Sequence, residues 1–546
     1  MTTIFGIIAA PGLLVLAYYA LLYFQRAWSI VVFPYGYDYG ESPELERAID
    51  VARGRPIYTG WLHPPYHMAN YPPLFPLING VFVHFLGVQY QSGRLIEWIS
   101  SLLFCLILAW LAWREAHSVF APITTVLFWF SVHYVWNWTP LNREDELAIL
   151  LSGLGLLVFM ERYVYPIAKG RQRSDWAVWL AMLLFLGAIY TRQTTIEAAV
   201  ACGAYLLFTR PRFALVWAGV FAFIAGLLFG IIDLLTKGYF FLNIVIGNLN
   251  IFQWSRVLFF GRQFWDYYQV GVILAVFFLL TQIVLRRQQV FLVWFLMTFA
   301  VAITVGKVGA AENYLLLPWG AVSLCVGSAV GRLHNAASWL WTRRRIPLLP
   351  RVAAVMITVP VGFLVLLHAQ LAFHLLYSGR WTRYEFEVKP PHGVDTLLVK
   401  ATRTGWYLRL LPNEVGPQTL LTEFGYRYKP EAANSLLRED QYLVKIVHQA
   451  KGPVFDEDMT HLLMAGREIY IQPFEFTQEA ELGRWNQAPF LEAIRSQQFP
   501  IVISTIELTR ATHFERYTPQ MLEAFSTSYC LNQHLTYYYV YTPCKQ

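Results

Sequence analysis

The sequence predicts a polytopic α-helical membrane protein that ends in a small α/β domain. Hydrophobic residues make up 56% of the 546-residue chain and charged residues only 14%, whereas soluble proteins carry about 25% charged residues. The apolar residues form runs that can cross a bilayer, which takes about 20 residues of helix. After position 371 the apolar runs shorten and charges become frequent. This change divides the chain into residues 1–371 and residues 372–546.

Eleven apolar runs are candidate membrane spans. Their ends are defined only to within a few residues. The first run lacks a basic leader segment and a clear cleavage site, so it is interpreted as a retained span rather than a signal peptide. A further run, Asn79–Val88, is short and preceded by two prolines, so we expect it to lie at the membrane interface. The candidate spans are Phe5–Phe24, Leu95–Trp113, Phe120–Trp138, Leu147–Met160, Trp176–Tyr190, Ile196–Phe208, Phe213–Leu235, Val270–Leu285, Val290–Val305, Tyr314–Val330 and Val352–Leu371.

Basic residues in alternate loops predict the orientation of the chain, because loops rich in arginine and lysine stay in the cytoplasm. We therefore expect a multi-pass protein of the cell membrane, with a cytoplasmic N-terminus and an extracytoplasmic C-terminal domain. The opposite loops carry acids at the outer ends of the spans. No basic stripe with interleaved aromatic residues is present, which argues against a nucleic-acid partner. The basic residues of the cytoplasmic loops are Arg114, Arg162, Lys169, Arg171, Arg173, Arg210, Arg212, Arg286, Arg287, Arg332, Arg343, Arg344, Arg345 and Arg351.

The C-terminal part alternates short apolar segments with helical patterns, which is typical of a small α/β domain. Asp456-Glu457-Asp458 is interpreted as the start of a helix, where acids favour the dipole, rather than as a metal site. Cys530 and Cys544 can form a disulfide outside the cell, and two free thiols are the equal alternative. The predicted strands are Val454–Phe455, Ile469–Phe474, Pro500–Ser504 and Thr536–Tyr541, and the predicted helices are Asn434–Gln449, Glu457–Ala465 and Phe490–Gln497.

The segment PYGYDYGESPELERA (34–48) places acids directly after the first span. Glu44 and Glu46 follow Pro43 and fit the beginning of a helix, with no chemical role. Asp38 and Glu41 fit that interpretation less well. Carboxylates beside a span are costly unless they lie in a wet cavity or have a function. Either acid is therefore a candidate functional residue, and a solvated loop start is the alternative.

A second acidic cluster, NREDELA (142–148), precedes the fourth span. Helix capping with an Arg143 ion pair would explain it. Alternatively, Asp145 and Glu146 converge with Asp38 on one outer mouth. There they could share acid–base work or hold a divalent cation such as Mg²⁺ or Mn²⁺.

Polar residues before the prolines of NYPPLFPL (70–77) are candidate acceptor-binding groups: His63, His67, Asn70 and Tyr71. Surface positions are the alternative for all four. A metal held by the two histidines is disfavoured, because the intervening Pro64-Pro65 argues against a helix.

Several cations occur in outer loops, against the positive-inside bias. Arg192, followed by Gln193, could pair with Glu197 or bind a lipid phosphate. Together, outer cations near outer acids describe a pocket for a phosphate-bearing lipid and a hydroxyl-bearing partner. The other candidates are Arg256, Arg262 and Lys307, and Glu312 with Asn313 begins a later span beside them.

The order of these motifs resembles the GT-C glycosyltransferases, which take a sugar from a polyprenyl-phosphate carrier. The group includes protein mannosyltransferases and aminoarabinose transferases. The resemblance rests on the acids after the first span and on the motifs ARGRPIY, NYPPLFPLI, GRLIEWISSLL, REDELAILLSGLGLL, YTRQTT and ENYLL. It implies a GT-C-like transmembrane domain over 1–371 with a catalytic outer loop at 27–93. The family's base is the acid of this loop, in many relatives Asp-Glu, where this chain has Gly40-Glu41 and an earlier Asp38.

The resemblance implies that a hydroxyl of a glycan, lipid or protein acceptor displaces polyprenyl phosphate in one inverting step. Lipid A-type relatives often have lysine before the paired prolines, where this chain has Asn70-Tyr71. Phosphate binding is therefore expected from the outer arginines and Lys307. A transporter or lipid flippase is the alternative, but it would place charges near mid-span and often shows repeat symmetry.

Overall fold

A computed structural model describes residues 1–168, 170–287, 289–342, 349–378, 430–511 and 515–544. Lys169 and Arg343–Arg345, used above to predict orientation, lie outside these residues. Helices dominate the membrane part. They are α1 (Thr2–Val32), α2 (Glu41–Ala52), α3 (Leu74–Leu86), α4 (Gln91–Ala116), α5 (Phe120–Trp129), α6 (His133–Trp138), α7 (Asp145–Phe159), α8 (Tyr165–Ala168), α9 (Asp175–Thr191), α10 (Glu197–Thr209), α11 (Pro211–Leu235), α12 (Tyr239–Ile244), α13 (Trp254–Val284), α14 (Val290–Ala302), α15 (Leu316–Thr342) and α16 (Leu349–Ser378).

Each predicted span except Phe120–Trp138 coincides with one apolar helix. Within the described residues, seven helical stretches are long and apolar enough to cross a bilayer, and α5, α9, α10 and α14 are shorter apolar helices. The predicted span Phe120–Trp138 is wrong as a single helix. It breaks between α5 and α6, where Val132 has an extended backbone. The run at Asn79–Val88 belongs to α3, which starts at Leu74 directly after the paired prolines.

Helix α15 lies at the centre of the membrane part, where it packs against α4, α5, α13, α14 and α16. Almost all residues of its apolar stretch are buried inside the protein. Gly327 permits the approach of α5, because a Cβ atom there would lie 2.5 Å from the carbonyl oxygen of Ala121. Small residues at such contacts let membrane helices pack closely.

The C-terminal domain contains a four-stranded sheet and five helices within the described residues. The strand order is β1-β2-β4-β3, with β1 parallel to β2 and the other pairs antiparallel. Cys530 of β3 is joined to Cys544 by a disulfide. The elements are α17 (Pro430–Gln449), β1 (Phe455–Asp456), α18 (Thr460–Met464), α19 (Pro473–Glu481), α20 (Ala488–Arg495), β2 (Val502–Ser504), α21 (Pro519–Ser528), β3 (Tyr529–His534) and β4 (Tyr539–Pro543).

Two sequence predictions for this domain need correction. Ile469–Phe474 is not a strand: Ile471 forms an isolated bridge with Tyr66, and Pro473 begins α19. The helix predicted from Glu457 begins only at Thr460, because Asp456 and Glu457 are buried side chains with partners of their own. Asp456 does favour the helix start, since its carboxylate accepts the backbone N–H of His461 at 3.0 Å.

The outer loop and the C-terminal domain share two apolar cores. Leu45 and Ile49 of α2 pack with Leu462, Ile503 and Val540 of the domain. A second core joins three residues of the loop to three of the domain: Trp61, Tyr66, Met68, Phe476, Trp485 and Phe490. Residues 27–93 therefore lie between the membrane helices and the C-terminal domain.

Candidate functional site

Glu41, the first residue of α2, is completely buried. Arg94 binds its carboxylate through two contacts of 2.7 Å, from Nε to Oε1 and from Nη2 to Oε2. The backbone N–H groups of Asn142 and Tyr37 donate to the same carboxylate, each at 2.7 Å. This arrangement joins the outer loop, α4 and the segment before α7. Arg94 also donates to three carbonyl groups, those of Ile30, Phe33 and Tyr35.

Asp38 lies at the edge of this arrangement, and 9% of its side chain is exposed. Its Oδ1 accepts from Nη1 of Arg143 at 3.1 Å and from the backbone N–H of Gly40 at 3.0 Å. Arg143 also stacks on the ring of Trp138, 5.5 Å from its centroid. The structure thus brings Asp38 to the acidic segment 142–146, as the sequence predicts.

Asp145 holds two further predicted residues together. Nη1 of Arg192 contacts its Oδ1, and Nδ2 of Asn313 donates to it at 3.0 Å. The Arg192 guanidinium lies 4.5 Å from the ring centroid of Tyr314. Arg192 therefore pairs with Asp145 rather than with Glu197, which accepts from Ser152.

Asn70 and Tyr71 complete this group. The carbonyl of Asn70 accepts from Nε2 of Gln193 at 3.1 Å, and the Tyr71 hydroxyl lies 3.5 Å from Nη2 of Arg143. Burial raises the pKa of Tyr71 above its usual range, so this residue is a neutral hydroxyl. Residues from four separate segments therefore meet at the start of α7 and the end of α9.

Several buried polar atoms of this group have no hydrogen-bond partner within the described residues. They include both carboxylate oxygens of Glu144, Nε and Nη2 of Arg192, Oε1 of Gln193 and Oδ1 of Asn70. Buried polar groups in proteins are nearly always hydrogen-bonded. Their concentration here marks the place where water or a polar ligand is expected.

The metal ion predicted at Asp145 and Glu146 stays a prediction. Glu146 follows Asp145 directly on α7, and consecutive helix residues do not face each other. His63 is exposed, and Nε2 of His67 lies 3.2 Å from Glu46 and 2.7 Å from the carbonyl of Ile469. In the described ranges no three His, Cys, Asp or Glu side chains are grouped to hold a metal ion.

The remaining predicted cations lie in different surroundings. Nζ of Lys307 donates to the carbonyl of Asn248 at 3.3 Å, and Nδ2 of Asn248 donates to the carbonyl of Asn70. Lys307 is thereby connected to the Asp145 group, and burial lowers the pKa of its amine. Arg256 donates to the carbonyl of Ala310. Arg262 has 84% of its side chain exposed and pairs with Asp266 instead.

Glu312 belongs to a separate buried chain of side chains. Its Oε1 lies 2.8 Å from Nε2 of His133, and Nδ1 of His133 lies 2.5 Å from the Tyr268 hydroxyl. Tyr268 is the residue at which α13 kinks. Because Asn313 binds Asp145, this chain supports the site from the side of α13.

The structure buries two acids that the sequence assigned to a simple helix start. Glu44 pairs with Arg47, and Glu46 accepts from Gln472 at 3.0 Å. Burial raises the pKa of Glu44 to about 7 and that of Glu46 to about 8. Glu44 does lie in the first turn of α2, but both side chains face protein rather than solvent.

The C-terminal domain contacts the Asp38 turn directly. The Tyr39 hydroxyl donates to Glu475 at 2.9 Å and accepts the backbone N–H of Phe474 at 3.0 Å. The Arg516 guanidinium lies 4.3 Å from the Tyr39 ring centroid. Oγ1 of Thr460 accepts the backbone N–H of Gly36 at 2.8 Å.

Sequence reasoning missed Arg94, Asn142 and Glu144 as members of the site. Arg94 stands just before a predicted span on the outer side, which is the signal that identified Arg192. Asn142 and Glu144 were inside the quoted acidic segment but had no distinguishing pattern.

Two solved structures are similar to this one. ArnT from Cupriavidus metallidurans bound to undecaprenyl phosphate aligns with a TM-score of 0.55 at 16% identity, over 98% of this chain and 99% of that one. The apo state of the same protein gives a TM-score of 0.51 at 13% identity, over 97% and 99%. No family model and no curated protein matches the sequence. The similarity confirms the predicted GT-C-like fold.

Proposed function

We propose that this protein is an integral membrane glycosyltransferase. It transfers a sugar from a polyprenyl-phosphate donor to an acceptor hydroxyl. One observation carries the proposal: Asp38 is held by Arg143, and in the same buried group Nε and Nη2 of Arg192 have no partner among the residues that the structure describes. Arg143 lies 3.6 Å from Asp145, the partner of Arg192, so one chain of ion pairs joins a candidate base to a candidate phosphate ligand. The fold shared with ArnT over nearly the whole chain supports the donor class, because that protein was solved with undecaprenyl phosphate.

Asp38 is the better candidate for the base. The carboxylate of Glu41 is buried in an ion pair with Arg94. It also accepts the backbone N–H groups of Asn142 and Tyr37, so its position is fixed. Asp38 is partly exposed, with Arg143 and the backbone N–H of Gly40 among its partners. A general base must reach the proton that it abstracts, and Asp38 meets that requirement better.

Arg192 is the candidate phosphate ligand. A guanidinium binds phosphate through paired N–H groups in a fixed plane. Nη1 of Arg192 is taken by Asp145, which leaves Nε and Nη2 on one edge of the plane. Lys307 is connected to the same group through Asn248 and adds positive charge.

The reaction then proceeds in one displacement. The Asp38 carboxylate takes the proton of the acceptor hydroxyl, and the oxygen forms a bond to the anomeric carbon. The bond from that carbon to the phosphate oxygen breaks, and its electron pair leaves with polyprenyl phosphate. Arg192 stabilises the developing negative charge. Attack from the side opposite the leaving group inverts the anomeric centre. A Mg²⁺ or Mn²⁺ ion stays a prediction, and no step uses it.

The membrane orientation is part of this proposal. The Cys530–Cys544 disulfide supports an extracytoplasmic C-terminal domain, because disulfides persist outside the reducing cytosol. The Asp38 turn packs against this domain. The acceptor would therefore react on the outer side of the cell membrane.

The test is transfer of sugar from a polyprenyl-phosphate donor by the purified protein in detergent. Asp38→Asn should lower the rate by about 10²–10⁴, the usual contribution of a general base, while thermal unfolding stays as in the wild type. Full activity of this variant would refute the assignment of Asp38. Donor movement across a vesicle bilayer without transfer would favour the transporter alternative.

A further inference from the structure

A polar cavity of about 240 Å³ lies where α2 of the outer loop meets α18 of the C-terminal domain. Three arginines line it: Arg53, Arg55 and Arg467. Glu46 and Glu468 line the same cavity. Its size is below the 300–1,000 Å³ or so of pockets that enclose drug-sized ligands. We name it the arginine cavity, and none of the chemistry proposed above uses it.

The ends of two helices build this cavity. The chain leaves α2 through Gly54, whose positive φ lets the N–H of Arg55 return to the carbonyl of Asp50 at 2.8 Å. It leaves α18 in the same way through Gly466, and the N–H of Arg467 returns to the carbonyl of Leu462 at 2.8 Å. Both helices thus end in a glycine turn followed by arginine. The two turns bring Arg55 and Arg467 into the lining of the same cavity.

The arginines differ in how strongly they are held. Arg467 donates to the carbonyls of Val447 and Ala450 and so fixes the wall. Arg55 pairs with Asp50 at 2.6 Å and lies 3.8 Å from Glu468. Arg53 is exposed and makes no side-chain hydrogen bond or ion pair within the described residues. Its guanidinium is therefore available to a ligand at the mouth.

Positive charge is in excess in the cavity. Three arginines line the cavity with Glu46 and Glu468, and Asp50, which pairs with Arg55, adds a third carboxyl group beside them. Burial raises the pKa of Glu46 to about 8, so this residue is mostly protonated at neutral pH. Arginine binds phosphate and carboxylate through paired, charge-assisted hydrogen bonds. Carboxyl and guanidinium groups also bond sugar hydroxyls.

We propose that the arginine cavity binds a phosphate or carboxylate group carried by a glycan acceptor, a proposal that rests on the transferase function. The position of the cavity fits this role. Helix α2 has 12 residues and separates its two ends by about 18 Å at 1.5 Å per residue. Asp38 lies at one end and the arginine cavity at the other. An acceptor that engages both would carry its anionic group several sugar units from the reacting hydroxyl.

Binding to the purified full-length protein tests this directly, with no donor present. The probes are glucose 1-phosphate, glucuronate, glucose and inorganic phosphate, titrated by calorimetry. Glucose 1-phosphate should bind at least 10-fold more tightly than glucose, and added salt should weaken it. Arg53→Gln should weaken it at least 10-fold. Arg510→Gln removes another exposed arginine of the C-terminal domain and should leave it unchanged.

Two results would overturn the proposal. One is equal binding by the wild type and Arg53→Gln. The other is inorganic phosphate binding as tightly as glucose 1-phosphate, which would mark a site for a free anion only. Asp38→Asn separates this proposal from the transferase function, because it should lose transfer and still bind glucose 1-phosphate. Arg55→Gln is a second variant, and unchanged unfolding temperatures for both show that the fold persists.

Discussion

The guanidinium of Arg94 and the carboxylate of Glu41 meet in two contacts of 2.7 Å, and neither side chain is exposed. The pair joins the start of α4 to the start of α2. Its geometry distinguishes two acids that the sequence leaves equivalent. Glu41 organises the outer loop through this pair, whereas Asp38 stays at its edge beside Arg143.

Replacing Glu41 should therefore lower stability. Glu41→Gln leaves Arg94 as a buried charge without its counter-ion, and removing one partner of a buried pair costs about 3–5 kcal/mol. We expect a clear fall in the midpoint of thermal unfolding, measured by tryptophan fluorescence in detergent. Activity should fall only in proportion to the folded fraction.

An exposed pair supplies the control. Glu507 and Arg510 lie 3.2 Å apart on the C-terminal domain, and exposed pairs contribute about 0–1 kcal/mol. Glu507→Gln should leave the unfolding midpoint nearly unchanged. If Glu41→Gln keeps the unfolding midpoint of the wild type but loses transfer activity, Glu41 rather than Asp38 is the base.

The sequence predicted the fold class and much of the candidate site because both depend on local patterns. Apolar runs identify helices, and acids or arginines at outer helix ends are unusual enough to notice. Asp38, Arg143, Asp145 and Arg192 were all found in this way, and the structure brings them together. Which partner each residue takes depends on contacts far apart in sequence. The pairing of Glu41 with Arg94 could therefore not be predicted from the sequence.

The wrong predictions of secondary structure also have physical causes. The one proline of Phe120–Trp138, Pro122, lies in the first turn of α5, yet the helix breaks near Ser131, whose hydroxyl contacts His368 of a helix far away in the sequence. The incorrect strand prediction at Ile469–Phe474 could have been avoided from the local sequence. Proline favours the first turn of a helix, so Pro473 was an available signal for the start of α19.

Replacing Arg192 should weaken the binding of the donor. Arg192→Gln removes two candidate phosphate donors, and a hydrogen bond to a charged group contributes about 1.5–3 kcal/mol. We expect the KM for a polyprenyl-phosphate sugar to rise roughly 10-fold or more. The same variant removes the closest cation of the buried Asp145 carboxylate and should lower the unfolding temperature. Arg192→Gln with Asp145→Asn should restore stability but not donor binding. Recovery of both would make Arg192 purely structural.

The stability of the C-terminal domain should depend on pH through a buried histidine. His461 is buried between Asp440, at 3.1 Å, and Asp456, at 3.0 Å. Burial alone would lower its pKa, but the two carboxylates raise it to about 10. The unfolded value is about 6.5, so this stabilisation is complete below that pH and is lost as pH rises towards 10. Unfolding temperatures measured from pH 6 to 10 should fall more steeply for the wild type than for His461→Gln. His63→Gln, at an exposed position, should follow the wild type.

Tyr39 tests whether the C-terminal domain holds the Asp38 turn in place. Tyr39→Phe removes the hydroxyl that donates to Glu475 and accepts from Phe474. Leaving buried groups unsatisfied costs about 1–3 kcal/mol, so limited proteolysis should release the C-terminal domain faster. If the contact also orients Asp38, kcat should fall while the KM for donor stays constant. Tyr442→Phe removes a tyrosine hydroxyl that bonds Gln533 on the domain surface and should change neither quantity. Faster proteolysis with unchanged kcat would limit Tyr39 to holding the domain in place.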